Sequence, residues 1–259
     1  MELFSKQCNK SKEDVGNLIN DILDSMKGTE DFEKKGYKDK YIETEKVKQI
    51  KLIEEEKRKK QQELEEKKRL DNIKEKQDAI QAMLDTKECK QLEEWTKMKI
   101  DYVLFDSRKD NWREDTSVFH EKLKEKSNLI FLIESTCGNK FGYYLSTSIH
   151  PTIVNRWVET DDRSFLFNIK SDNRLKNMMK FEIRKGRFGY KMFDLADDCL
   201  INLGDRMAIC LFKDNRKHES YCFQDGRFFN YHGVDEALVG KTGYDECFVP
   251  ARIIVIQMK

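Results

Sequence analysis

The chain has 259 residues, 37% of them charged and 38% hydrophobic, and 49 Lys and Arg stand against 48 Asp and Glu for a net charge of +1. So modest an apolar share predicts one folded domain plus a solvated extension. The near-zero charge excludes a global field drawing the protein to nucleic acid or an anionic membrane, so any such attraction must be local.

Seven cysteines without a C-x-x-C spacing point to a reducing compartment rather than a disulfide framework. No window approaches the roughly 20 apolar residues that span a bilayer, and MELFSKQCNKSKED lacks the apolar core of a signal peptide. The expectation is a cytoplasmic or nuclear protein with no membrane insertion.

Residues 1–39 read as a short amphipathic helix and linker. Val15, Leu18, Ile19, Ile22, Leu23 and Met26 recur at helical spacing, Ser11 with Asp14 forms a capping box, and Gly28 is a stop signal. Asp14, Asp21 and Asp24 on the polar face favour packing on protein over a membrane surface.

Residues 40–91 read as one long charged helix or coiled coil, since Tyr41 to Cys89 holds neither Pro nor Gly and is rich in Glu, Lys and Gln. Leu70, Ile73, Gln77, Ile80 and Leu84 follow the three-four spacing of a seam, and Val47, Ile50 and Leu64 follow it in another register. Between them EEEKRKKQQE offers no apolar residue. Glu55 with Lys59 and Glu56 with Lys60 supply i,i+4 pairs there, at roughly 0.2–0.5 kcal/mol each. Two readings stay open: a homodimer through residues 70–84, or a solitary helix that docks by its C-terminal end.

From Leu92 onward short apolar runs alternate with turn signals: IDYVLFD, NLIFLIES, KFGYYLST, RSFLFNIK, MMKFEIRK, GYKMFD, RMAICLFK, ESYCFQ and RIIVIQMK. Their spacing predicts an antiparallel two-sheet β-sandwich over residues 92–259, with a hairpin turning at Cys137-Gly138-Asn139. Helices are expected over Thr116–Glu125, capped by Asp115 or Thr116, and around GVDEAL, Gly233–Leu238. The fold class is α+β, a sandwich with short helical insertions preceded by the long helix.

The order LEEW, VLFDSRKDNW, a helix, NLIFLIE, a turn, KFGYYLS, then INLGDRMAICLF, HESYCF and a closing RIIVIQM resembles the TLDc domain family. The strand ending Phe105-Asp106-Ser107, the Phe141-Gly142 pair and Leu203-Gly204-Asp205 carry the match. The chain departs from the family at Asn111-Trp112, where glycine is usual, and in keeping a single Gly204 of a glycine-rich run. The resemblance implies a two-sheet sandwich, a role in oxidative-stress protection, and regulatory binding to protein assemblies such as vacuolar proton pump subunits. It implies no settled chemistry.

The sequence carries little that points to catalysis. LVGKTG ends like a phosphate-binding loop, but its first glycine would fall at Asp235 and no apolar strand precedes it. There is no G-x-S-x-G elbow, and His120, His150, His218 and His232 show no metal-ligand spacing. Cys210 and Cys222 read as small core residues facing each other on neighbouring strands. Asp194, Asp197 and Asp198 lack the glycine turn of a calcium loop. No cofactor and no metal is predicted.

Asp106, Asp110 and Asp115 offer carboxylates without a partner histidine or lysine constellation. Asp106 is better read as a strand-end side chain turning onto backbone N–H groups, and Trp112 as folding back over the sandwich edge. The protein-interaction candidates are Asp106, Asp110, Trp112, Gly204 and Asp205. An alternative is a nucleic-acid-binding regulator, in which the basic, aromatic-interleaved segment Lys170–Lys191 uses Arg184, Lys185 and Arg187 and the long helix dimerises. A third reading is an oxidant-reactive cysteine at Cys137, its pKa lowered by Lys140.

Overall fold

β2 (Leu129–Ser135) is buried on both of its faces. That position at the centre of three layers explains why its sequence, LIFLIES, runs apolar without the alternation of a half-exposed strand. A computed structural model describes residues 37–113, 115–171, 174–184, 188–214, 219–234, 236–239 and 246–259, with backbone alone over 37–46 and at 72, 73 and 76. The helix expected at residues 15–26 lies outside the described residues.

The chain divides into two units, Met1–Arg69 and Leu70–Lys259. In the first, the described residues form the start of α1 (Tyr37–Gln81), and Val47, Ile50, Leu52, Ile53 and Leu64 are exposed along it. Glu55 and Lys59 pair at 3.2 Å.

In the second unit α1 ends at Gln81 and α2 (Thr86–Thr96) begins, so the single helix expected through Cys89 is broken. The break is a capping box that propensity alone hides, because no Gly or Pro marks it. Asp85 is extended and accepts from the Lys87 and Glu88 amides at 2.7 and 2.8 Å, while Glu88 returns a 2.8 Å bond to the Asp85 amide.

The first sheet contains β1 (Ile100–Asp106), β12 (Pro250–Met258), β2, β3 (Lys140–Leu145), β5 (Phe165–Lys170) and β6 (Met179–Glu182), in that order. The second contains β11 (Glu246–Phe248), β10 (Ser220–Cys222), β9 (Ile209–Phe212), β8 (Cys199–Leu203), β7 (Phe188–Met192) and β4 (Trp157–Glu159). Every pairing is antiparallel. The two-sheet sandwich expected from the spacing is therefore present, with β4, β8 and β11 added to the predicted runs. β4 and β11 are three residues each, too short for a period to register.

Leu129, Phe131 and Ile133 of β2, with Ile253 and Val255 of β12, face the second sheet in one core. Ile130, Leu132, Ile254 and Ile256 point the other way into a second core with Ala79, Ile80, Met83 and Leu84 of the first helix and its end, and Leu92 of α2. Ile80 and Leu84 of the predicted seam are thus consumed within the chain. A dimer through residues 70–84 would have to form without them.

Of the expected insertions, Thr116–Glu125 shrinks to α3 (Phe119–Leu123), with Val118 at its N-cap and no side-chain cap. Asp115 takes φ +61, and its amide donates to Leu195 O instead of starting a helix. No helix forms around Gly233–Leu238 among the described residues. There, backbone groups are claimed by side chains: Gln224 bonds Val234 O and Ala237 N, and Asn168 bonds the carbonyls of Ala237 and Leu238.

Candidate functional site

β1 is an edge strand, and its last residue begins the connection to α3. Asp106 is only 3% exposed and turns inward, where Arg252 Nε and Nη2 donate to its two oxygens at 3.0 and 2.6 Å. The Arg108 amide donates to the same carboxylate at 3.1 Å, as a strand-end aspartate should. Burial opposes ionisation of Asp106, but the Arg252 hydrogen bond, the Arg108 amide and nearby positive charge prevail, holding its pKa below the ordinary carboxylate value.

Asp110 closes the turn from the other side. Its carboxylate accepts from the Asp106 amide at 2.9 Å and from Lys122 of α3 at 2.6 Å, while the Lys109 and Asp110 amides donate to Asp106 O. Lys109 reaches Glu75 near the end of α1 at 2.6 Å. A cleft of about 390 Å³ opens here, lined by Glu75, Ala79, Tyr102, Asp110 and Lys122 among others.

Beyond Asp110 the connection crosses to the second sheet. Trp112 is half-buried against the inter-sheet core, its carbonyl accepting from the Asp214 amide at 3.3 Å, and Arg113 pairs with the Asp214 carboxylate at 3.4 Å. Trp112 also lines a smaller cleft of about 180 Å³ with Phe212, Glu219, Phe248 and Pro250. Lys213, 3% exposed, donates to the carbonyls of Asp194, Leu195 and Asp197. It thereby fixes the segment whose Leu195 carbonyl receives the Asp115 amide.

Asp106, Asp110 and Trp112 therefore belong to one continuous connection, whereas Gly204 and Asp205 lie elsewhere, between β8 and β9. Gly204 takes φ +72 and a Cβ there would meet Phe229 at 2.9 Å, so the position needs glycine. Asp205 is buried. The basic segment divides between sheets, β6 in the first and β7 in the second. Arg184 between them donates to Asn230 Oδ1 at 2.7 Å and to Gly226 O, while Lys185 and Arg187 lie outside the described residues.

Chemistry gains no constellation. Among the described residues no grouping of three His, Cys, Asp or Glu is suited to a metal. His120 contacts His150 O, and His232 pairs with Glu182. Cys210 is opposite Tyr221 in register, and its sulfur contacts Cys199, not Cys222 as expected; Cys222 points into the inter-sheet core. Cys137 is exposed in its turn, but Lys140 is directed to Glu88 at 3.4 Å. Gly240–Gly243 of the phosphate-loop-like stretch lie outside the described residues.

The model of the TLDc domain matches residues 74–232, more than half of the chain. The protein belongs to the TLDc domain family. The TLDc match starts inside α1, ahead of the Leu92 from which the motifs run, at the helical turns whose side chains enter the core. β11 and β12 follow the matched span and complete the two sheets of this TLDc domain. A comparison with curated proteins found no match. No helix among the described residues is long and apolar enough to cross a membrane.

Sequence reasoning missed Arg252, Lys213 and Lys122. The first had a signal: a strand-end aspartate that closes a buried turn needs a cation, and Arg252 is the charge at the head of the apolar run in PARIIVIQM. Nothing in sequence spacing ties Lys213 to residues 194–197.

Proposed function

We propose that this TLDc domain is a non-enzymatic protein-interaction module of oxidative-stress resistance that regulates a protein assembly, with vacuolar proton pump subunits as the first assembly to test. The family is generally linked to oxidative stress. The observation that supports the reading is the connection after β1. Its buried polar groups hold the backbone to both sheets, while Arg108, Asn111 and Arg113 stand exposed around the half-buried Trp112. Fixed aromatic and arginine side chains with a polar rim are what protein interfaces favour. In this reading Asp106 and Asp110 shape the contact from beneath, while Gly204 and buried Asp205 set the backbone of a separate turn between β8 and β9.

The test is affinity capture of the full chain with cross-linking, with and without peroxide, beside the Trp112→Ala/Arg113→Glu variant. The expected result is a partner cross-linked through residues 108–113 and a loss of at least about tenfold in the variant. Recovery of no protein partner under either condition overturns the reading. Binding of DNA or RNA at low salt, weakened by Arg184→Glu, would replace it with the nucleic-acid regulator.

A further inference from the structure

Cys199 opens β8, and Cys210 stands on the neighbouring β9 opposite Asn202. Ile201 and Leu203 of β8 and Ile209 and Leu211 of β9 fill the inter-sheet core. Strand alternation therefore puts Cys210 on the outer face of the second sheet. A register shift between Cys199 and Ile201 alters the pairing at the start of β8. The two sulfurs are 3.6 Å apart, and both residues are buried. Each is a thiol, and the Cys199 sulfur also contacts Leu211 O at 3.3 Å.

We propose that Cys199 and Cys210 are an oxidisable pair that hydrogen peroxide converts into a disulfide stapling β8 to β9. One sulfur attacks a peroxide oxygen; the O–O bond breaks, a sulfenic acid forms and the other oxygen leaves as water. The second sulfur then attacks the sulfenic sulfur. The S–S bond forms, the S–O bond breaks, and a second water carries off the remaining thiol proton. Two thiols lose two electrons and two protons in all, and one peroxide becomes two waters. The sulfurs, 3.6 Å apart, need to close by about 1.5 Å to reach disulfide bonding distance.

Rate and consequence both follow from the placement. The hydrogen bond with Cys210 and then burial keep the Cys199 thiol protonated well above its ordinary pKa. Burial of both sulfurs and the scarcity of Cys199 thiolate make the pair slow to react, so it responds to sustained oxidant while exposed Cys137 reacts sooner. Cys199 directly follows the segment whose carbonyls Lys213 holds and whose Leu195 receives Asp115. A staple at its root stiffens the support of the proposed interaction loop, and this consequence alone rests on the interaction reading.

The test is prolonged peroxide treatment of the folded full chain, thiol blocking, and non-reducing peptide mapping. The expected product is an intramolecular Cys199–Cys210 linkage, lost in Cys199→Ser and Cys210→Ser, with a Tm gain of about 5 °C that reductant reverses. The mapping needs no variant and no partner, so a misfolded variant or a failed affinity capture leaves it decisive. The proposal is overturned if both thiols remain alkylatable after denaturation while Cys137 has been oxidised, or if either links only to other cysteines.

Discussion

Arg252 and Asp106 meet as a two-pronged ion pair between β12 and β1, at 3.0 and 2.6 Å, with both residues under 5% exposed. Removing one partner strands a buried charge, which costs about 3–5 kcal/mol. Arg252→Ala should therefore lose that much stability in urea unfolding. A double replacement by apolar residues of similar volume should recover most of it, because neither charge then needs solvation. Equal losses in the single and double variants would show that packing, not charge, dominates. The pair also sets an acid limb. Asp106 has its folded pKa lowered, so its contribution is present above the unfolded value near 3.8 and is lost as pH falls through the folded value. A chain carrying Asp106→Asn should lack that part of the acid transition.

The helical turns just before α2 should be energetically uneven. Met83 and Leu84 are 1% and 3% exposed, whereas Leu70 is 57% exposed. Leu84→Ala should cost about 2–5 kcal/mol by the usual cavity and transfer cost. Leu70→Glu should change stability by less than about 0.5 kcal/mol and leave the mass in light scattering unaltered. A dimer that dissociates on Leu70→Glu would show that a coiled-coil seam operates after all.

How far the sequence carried depended on whether a feature was local or long-range. The strands of the first sheet were legible because β2, β3, β5 and β12 are apolar on both faces and bounded by turns, as at Gly138 with φ +80. The break at Asp85 was hidden because Asp-Thr-Lys-Glu contains no helix breaker, only a cap whose effect depends on Leu84 finding a core. The loop after β1 was legible as a connection and not as a site. Its meaning depends on Arg252, 146 residues away, and on Lys213 and Asp214. Side chains that bond a distant backbone leave no periodic trace. The same holds for Gln224 and Asn168, which replace an expected helix near Leu238 with a clamped turn.

Gly142, one of the residues that carried the family resemblance, lies mid-strand in β3 opposite Leu132. A Cβ there would collide with the Phe131 carbonyl oxygen and come within 2.7 Å of Phe167. The obstacle is backbone of a central strand, which cannot give way as a flexible side chain can. Gly142→Ala should destabilise by about 1–3 kcal/mol or more, whereas Gly138→Asn, in the open hairpin turn, should be tolerated far better, since asparagine enters the left-handed region at modest cost. Comparable midpoints for the two variants would mean that the sheet opens at β3 more easily than its packing indicates.

Glu246 gives the sharpest pH test. It lies in β11 opposite Cys222, 2% exposed, and its Oε2 has no hydrogen-bond partner among the described residues. Burial pushes its pKa up to about 7, with the charge of Arg174 opposing and that of Glu236 adding. An unfolded glutamate titrates near 4.3, so between the two values the folded state binds the proton and the unfolded state does not. Stability therefore falls as pH rises from about 4.3 to 7, by on the order of 3 kcal/mol for this residue. Glu246→Gln replaces the protonated form with a neutral isostere. Relative to the parent, it should be more stable at pH 8 by on the order of 2–3 kcal/mol, and the advantage should shrink steadily as pH is lowered to 5. Parallel urea titrations across that range read the difference directly. A constant offset between the two chains at every pH would mean that Glu246 is ionised throughout, and that a counter-charge meets it inside the sandwich.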